Sequence, residues 1–221
     1  MRHFSLVAFS LLLALSIPSS GQTRRDEEPY CDDTSKRVEI ADADATILGL
    51  TIGYSSLKDV QAKLGAAETA RVSHEEESDI SVCYTSPIDH TVVVFYSGAM
   101  GGWKDMTRFA IWSPEAAYPH ASQCASSELV SKSLATASGL RLGLTKKELE
   151  KIAGPTKVGS ASAKYEYLCR RQMTPEEIAG FKDANNWDVT KDPYFDRMSW
   201  IDVRYANSAA SRLEIGRIDS Y

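Results

Sequence analysis

The chain has 221 residues, 43% of them apolar and 25% charged, with a formal net charge of −5. That balance is globular; a disordered chain would be less apolar and more strongly charged. The acidic surplus disfavours nucleic acid, whose phosphates call for a basic patch.

Residues 1–21 (MRHFSLVAFSLLLALSIPSSG) have the layout of a signal peptide. Arg2 supplies the positive start, and residues 4–17 form the apolar stretch. Pro18 breaks the helix, and Ser19 and Gly21 are small enough for a cleavage site. The apolar stretch is short for a hydrocarbon core of roughly 30 Å, and Cys31 lies too far on to take a lipid. The expectation is a secreted or periplasmic protein that does not insert into the membrane after leader removal. Residues 22–36 begin polar (QTRRDEEPYCDD) and read as a loose N-terminal arm.

Beyond the arm, two stretches match. Residues 49–65 read GLTIGYSSLKDVQAKLG, and residues 139–154 read GLRLGLTKKELEKIAG. Thr145 and Glu148 form a capping box, with Leu144 and Leu149 placed as a hydrophobic staple; Ser56 and Asp59 repeat the cap. Leu57, Val60 and Leu64 recur at helical spacing, as do Leu149 and Ile152. Gly65 and Gly154 end the helices, and Pro155 prevents continuation of the second.

The match extends into strands. Residues 78–84 correspond to 164–170, 91–96 to 199–205, and 107–112 to 211–217, with alternation typical of half-buried strands. The expected fold is α+β, with two tandem repeats over 37–123 and 124–221. Each is a short helical portion packed on an antiparallel sheet of three or more strands.

The phrase over residues 143–155 resembles the signature of SmpA/OmlA-type outer-membrane assembly lipoproteins. Tandem copies are similar to the pair of α+β units in β-lactamase inhibitor protein-like chains. The first copy departs from the signature at Tyr54-Ser55-Ser56 and lacks Pro after Gly65, and no lipid-anchor Cys is present. The resemblance implies a fold and a non-catalytic binding role; it supplies no partner.

Four cysteines, Cys31, Cys83, Cys124 and Cys169, suggest two disulfides in an exported chain, with three connectivities possible. Each copy carries one leading and one strand cysteine. A single ancestral unit could close only its own pair, so the repeat favours Cys31–Cys83 and Cys124–Cys169. No CxxC or HxxxH spacing suggests zinc.

Catalytic signals are thin. The run His74-Glu75-Glu76-Glu77 with Asp79 is the densest polar cluster and reads as a solvated hairpin. No Ser sits in G-x-S-x-G. The glycine-rich residues 98–102 lack a phosphate loop's Lys-Ser/Thr ending and read as a hairpin connection. The largest difference between copies is an insertion at about 170–197, opening with a capped helix at Thr174-Pro175 and carrying Trp187, Tyr194 and Phe195. Aromatics flanked by charge are typical binding anchors. Trp187 spoils a calcium-loop reading of the nearby Asp183, Asn185, Asp188 and Asp192.

The expectation is an exported non-catalytic protein that recognises a protein partner through Trp187, Tyr194 and Phe195, as an inhibitor or envelope factor. No catalytic residue, cofactor or metal is assigned. The alternatives are a secreted hydrolase with a dispersed active site and a small-molecule or metal-binding module.

Overall fold

The computed structural model describes residues 28–33, 35–74, 77–102, 104–155, 159, 161–185 and 188–221. The expected leader lies outside these residues, as do Trp187 and the first part of the polar arm.

A short hairpin, β1 (Thr46–Ile47) and β2 (Leu50–Thr51), leads into helix α1 (Leu57–Leu64). Four strands follow: β3 (Ala70–His74), β4 (Glu77–Thr85), β5 (Val92–Ser97) and β6 (Arg108–Trp112). A connecting segment ends in β7 (Ala125–Ser126), and helix α2 (Lys146–Ala153) precedes β8 (Ser162–Gln172). Helix α3 (Pro175–Asn185) then separates β8 from β9 (Tyr194–Ala206) and β10 (Ala209–Ser220). The fold is α+β. The main sheet runs β3–β4–β5–β6–β10–β9–β8 with antiparallel neighbours, and β7 adds to β4 in parallel.

Both expected helices carry their capping boxes. The Asp59 carboxylate accepts the Ser56 N–H at 2.8 Å, and that of Glu148 accepts the Thr145 N–H at 2.8 Å. Such a cap contributes about 1 kcal/mol. Gly65 and Gly154 end the helices at φ 104° and 89°, where a Cβ would be strained. Their carbonyls accept the hydroxyls of Tyr84 (2.7 Å) and Tyr165 (2.9 Å), tying each helix end to a strand. Leu57, Val60, Leu64 and Leu149 pack on the sheet face formed by Phe95, Phe109, Ile111, Ile201, Leu213 and Ile215.

One sheet results because β6 and β10 pair, with Ala110 opposite Glu214 at the middle. Hydrogen bonds match on either side of this seam. Arg217 N–H donates to Thr107 O (2.9 Å), and Ser113 N–H to Ser211 O (2.8 Å). Gly53 N–H reaches Met106 O as Gly143 N–H reaches Ala210 O, both at 2.8 Å. Met106 N–H donates to Ser55 O as Ala210 N–H donates to Leu144 O.

The expected cysteine pairing is wrong. The bonds are Cys31–Cys169 and Cys83–Cys124. The register explains the error. Tyr84 reaches Ile111 through Val93, and Tyr165 reaches Ile215 through Ile201, so the two tyrosines sit at matching places. Cys83 therefore faces away from the helices, whereas Cys169, four residues past Tyr165, shares the helix-side face. The two strand cysteines are not equivalents. The continuous sheet also carries the N-terminal segment to β8, where Arg170 N–H donates to Pro29 O and Cys31 N–H to Arg170 O. It likewise lays β7, beside Cys124, along β4. Two disulfides fit an exported setting, and among the described residues no helix is long and apolar enough to cross a membrane.

In the chain-entropy relation the 138-residue and 41-residue separations correspond to about 5 and 4 kcal/mol. Peptide mapping under non-reducing conditions should recover Cys31 with Cys169 and Cys83 with Cys124. A peptide joining Cys31 to Cys83 would contradict the sheet-crossing arrangement.

Candidate functional site

The insertion is built around its own small core. Thr174 Oγ1 accepts the Glu177 N–H (3.3 Å) and Glu177 accepts the Thr174 N–H (2.8 Å), so the expected cap of α3 is present. Ile178 and Phe181 of α3 pack on Met173, Val189 and Phe195. The Phe181 ring lies 5.5 Å from Phe195 and 5.4 Å from Tyr221.

This packing corrects the expectation for Phe195. It is 9% exposed and lies between β9 and α3 instead of meeting solvent as an anchor. Tyr194 is half-buried, its ring 5.3 Å from Tyr30 and 4.6 Å from the Arg170 guanidinium. Arg170 also pairs with Asp192. Tyr194 and Phe195 do not share one surface, because neighbours along a strand point to opposite faces, and Trp187 lies outside the described residues.

Next to Phe195 the helix-side face turns ionic. Arg197 donates to Asp219 Oδ1 at 2.7 Å and to Glu39 at 3.1 Å. Arg171 donates to Asp219 Oδ2 and Glu177, both at 2.7 Å. Arg217 binds Asp42 and the Ile40 carbonyl, both at 2.7 Å. Burial would raise the Asp219 carboxyl, but hydrogen bonds and charge from Arg197 and Arg171 hold it below its ordinary value. Arg197 is held firmly protonated by Asp219 and Glu39 against the cost of its burial. A cleft of about 650 Å³ opens over this network, bounded by Tyr54, Asp105, Phe181 and Tyr221. Its three arginines are already engaged, so the network braces the insertion and presents little spare charge to a ligand.

The remaining candidates resolve simply. His74 and Glu77 pair across β3 and β4, where a hairpin was expected, and residues 75 and 76 lie outside the described residues. Residues 98–102 connect β5 and β6 as expected. Cys31, Glu39 and Cys169 come within 4.8 Å of one another, but the two sulfurs are joined and offer no thiolate to a metal.

The other side of the sheet differs between its two halves. Over β4–β6, the face formed by Cys83, Val92, Val94, Tyr96 and Ala110 is covered by Tyr118, Ala121 and Cys124 of the connecting segment. Over β8–β10, cross-strand neighbours Leu168, Met198 and Ile218 line up with Leu168 42% and Met198 39% exposed. Trp200 lies against Gly216, where a Cβ would collide with the indole, and its Nε1–H donates to Glu214 at 3.2 Å. At the seam, Arg212 stacks on Trp112 at 4.6 Å and pairs with Glu214. Arg108 stacks on Tyr96 at 4.2 Å. Trp, Tyr and Arg are the residue types that dominate protein interfaces. Sequence reasoning passed over this face because Leu168, Met198 and Ile218 are far apart in the chain and meet only through strand register.

No family model, curated protein or solved structure matches the chain.

The ion network sets an acid-stability test. A carboxyl with a depressed pKa stabilises the fold fully above its ordinary value, here 3.8, and that contribution fades as pH falls through the folded value. Asp219→Asn should therefore lower the melting temperature at pH 7 and flatten its decline below about pH 4. Arg197→Met, which strips Asp219 of its main partner, should cost about 3 kcal/mol in denaturant unfolding at pH 7. Unchanged unfolding of both variants would show that the network braces nothing.

Proposed function

We propose that the protein is an exported, non-catalytic binding protein that engages a protein partner through the open face of β8, β9 and β10. The observation that carries this is the asymmetry of the sheet. One half of the outer face is sealed by a disulfide-held segment, while the other presents Leu168, Met198, Ile218 and Trp200 to solvent. An apolar row rimmed by Arg, Glu and Trp has the composition of an interface centre with a polar rim. The role of an inhibitor or envelope factor is part of this reading. Tyr194, clasped beside the N-terminal arm, belongs to the neighbouring edge and not to the centre of the surface.

The same proposal reads the chain as a tandem duplication of SmpA/OmlA-like units that share one sheet. The paired hydrogen bonds about β6 and β10, the twin capping boxes and the twin tyrosine–glycine bonds support it. A non-catalytic role is supported by where the shifted titrations fall. Among the described residues, those of Asp59, Glu148, Glu177 and Asp219 trace to caps and ion pairs, not to a nucleophile paired with a base.

A photoreactive side chain placed at Met198 should form adducts with a single protein in the native extracellular or periplasmic fraction. The same group at Lys58, exposed on α1, serves as the control. Equal labelling from both positions, or none from Met198, would remove the open face from the reading.

A further inference from the structure

β8 is the last strand of the sheet, and its backbone phase is known. Arg170 exchanges both backbone bonds with the Pro29–Cys31 arm on the outer edge, while Ala161 O accepts from Tyr205 N–H on the β9 side. Even-numbered residues of β8 therefore direct their N–H and C=O groups outward, and odd-numbered ones direct theirs to β9. Below the arm, residues 162–168 run as a regular strand, with exposed Ser162, Lys164, Glu166 and Leu168 alternating with buried Ala163 and Tyr165. Its register to β9 is unbroken from Ser162 to Gln172.

Edge strands are templates for a further strand unless something blunts them, and an edge lysine is a common device. Here the lysine is matched. Lys164 pairs with Glu166 at 2.6 Å within the strand, both well exposed, so this stretch of edge carries no net charge. Its order is self-complementary in one antiparallel register. With a two-fold axis through Tyr165, Lys164 of one copy lies opposite Glu166 of the other, and Glu166 opposite Lys164. Both are even-numbered, so these are hydrogen-bonded pairs, as the backbone phase requires. Ser162 then meets Leu168, and Ala163 meets Tyr167. Shifting the axis by half a residue puts Lys164 opposite an odd-numbered residue and breaks the hydrogen-bond phase. Shifting it by a whole residue sets Glu166 opposite Glu166, or Lys164 opposite Lys164, and breaks the charge match.

We propose that the edge of β8 is an interface between two copies of this chain, joined antiparallel about Tyr165 into one continuous sheet. Such an isologous contact closes on itself and stops at a dimer. The inference goes beyond the reading of the open face and does not depend on it. It would set two open faces side by side and so double the apolar row.

Sedimentation velocity of the oxidised chain over a concentration series tests it. The wild type should pass from monomer to dimer with rising concentration. Lys164→Glu and Glu166→Lys each place like charges opposite one another twice, and each should weaken the dimer by about tenfold or more. The double variant K164E/E166K restores both pairs and should recover the wild-type affinity. An equimolar mixture of the two single variants should form the mixed dimer in preference to either parent. Both side chains are exposed, so thermal melting of the variants should match wild type and separate pairing from folding. A wild type that stays monomeric throughout overturns the proposal. So does a dimer indifferent to both single changes, because another surface would then hold it.

Discussion

Most of this structure follows from the pairing of β6 with β10. Had either strand stayed an edge, the chain would hold two small sheets, each with too little apolar surface to bury. Joined, Phe109 and Ile111 of one strand and Leu213 and Ile215 of the other fall on the same face and share the helices above it. Small units gain disproportionately from such sharing, because the buried fraction of the surface rises with size. The seam also determines where the segments before each helix go. With the sheet continuous, the N-terminal segment reaches β8 and the connecting segment reaches β4. The disulfides record that crossing.

The two faces then meet different demands. The helix side must be closed along its whole length, and α1, α2 and α3 divide the task. The outer side over β4–β6 is closed by residues 113–124, with Tyr118 against Trp112 at 5.4 Å and Cys83–Cys124 holding the segment down. Uncovered apolar rows on a sheet are costly in water and prone to association. The retention of Leu168, Met198 and Ile218 at adjacent register positions is the feature that a purely structural account of β8–β10 leaves unexplained.

Local order was legible in the sequence and long-range order was not. Ser56–Asp59 and Thr145–Glu148 announce helix starts because a cap is a three-residue event, and both helices stand where those pairs put them. Alternation at Phe109/Ile111 and Leu213/Ile215 gave the strands for the same reason. The cysteines failed because their pairing depends on strand register, which no local pattern carries. Aligning Cys83 with Cys169 by sequence put them on one face, whereas the tyrosine–glycine bonds show that Tyr84 and Tyr165 are the positions that match. Phe195 failed in a related way. Charged neighbours such as Asp196 and Arg197 suggested a binding anchor, but in a strand they belong to alternate faces. Its aromatic ring went inward with Arg197 beside it.

That juxtaposition of Phe195 and Arg197 has a physical cause. β8, β9 and β10 run past the end of the shared core. Helix-side positions there, Arg171, Phe195, Arg197, Arg217 and Asp219, lie beyond the reach of α1 and α2. An apolar overhang would need another helix of full length to cover it. α3 covers Phe195 but has limited apolar surface to offer, since Ile178 and Phe181 are its residues in that cluster. The rest of the overhang is filled by guanidinium groups, whose planar forks bind carboxylates on two sides and whose flat faces stack on aromatic rings. Arg171 does both, holding Glu177 and Asp219 while lying 4.9 Å from the Phe195 ring. An ion network of this kind is weak evidence for stability when compared with a well-packed apolar core. Its value here lies in geometry. It fixes where α3 sits and where the N-terminal segment crosses, through Glu39 and Asp42, on a stretch of sheet too long for its helices.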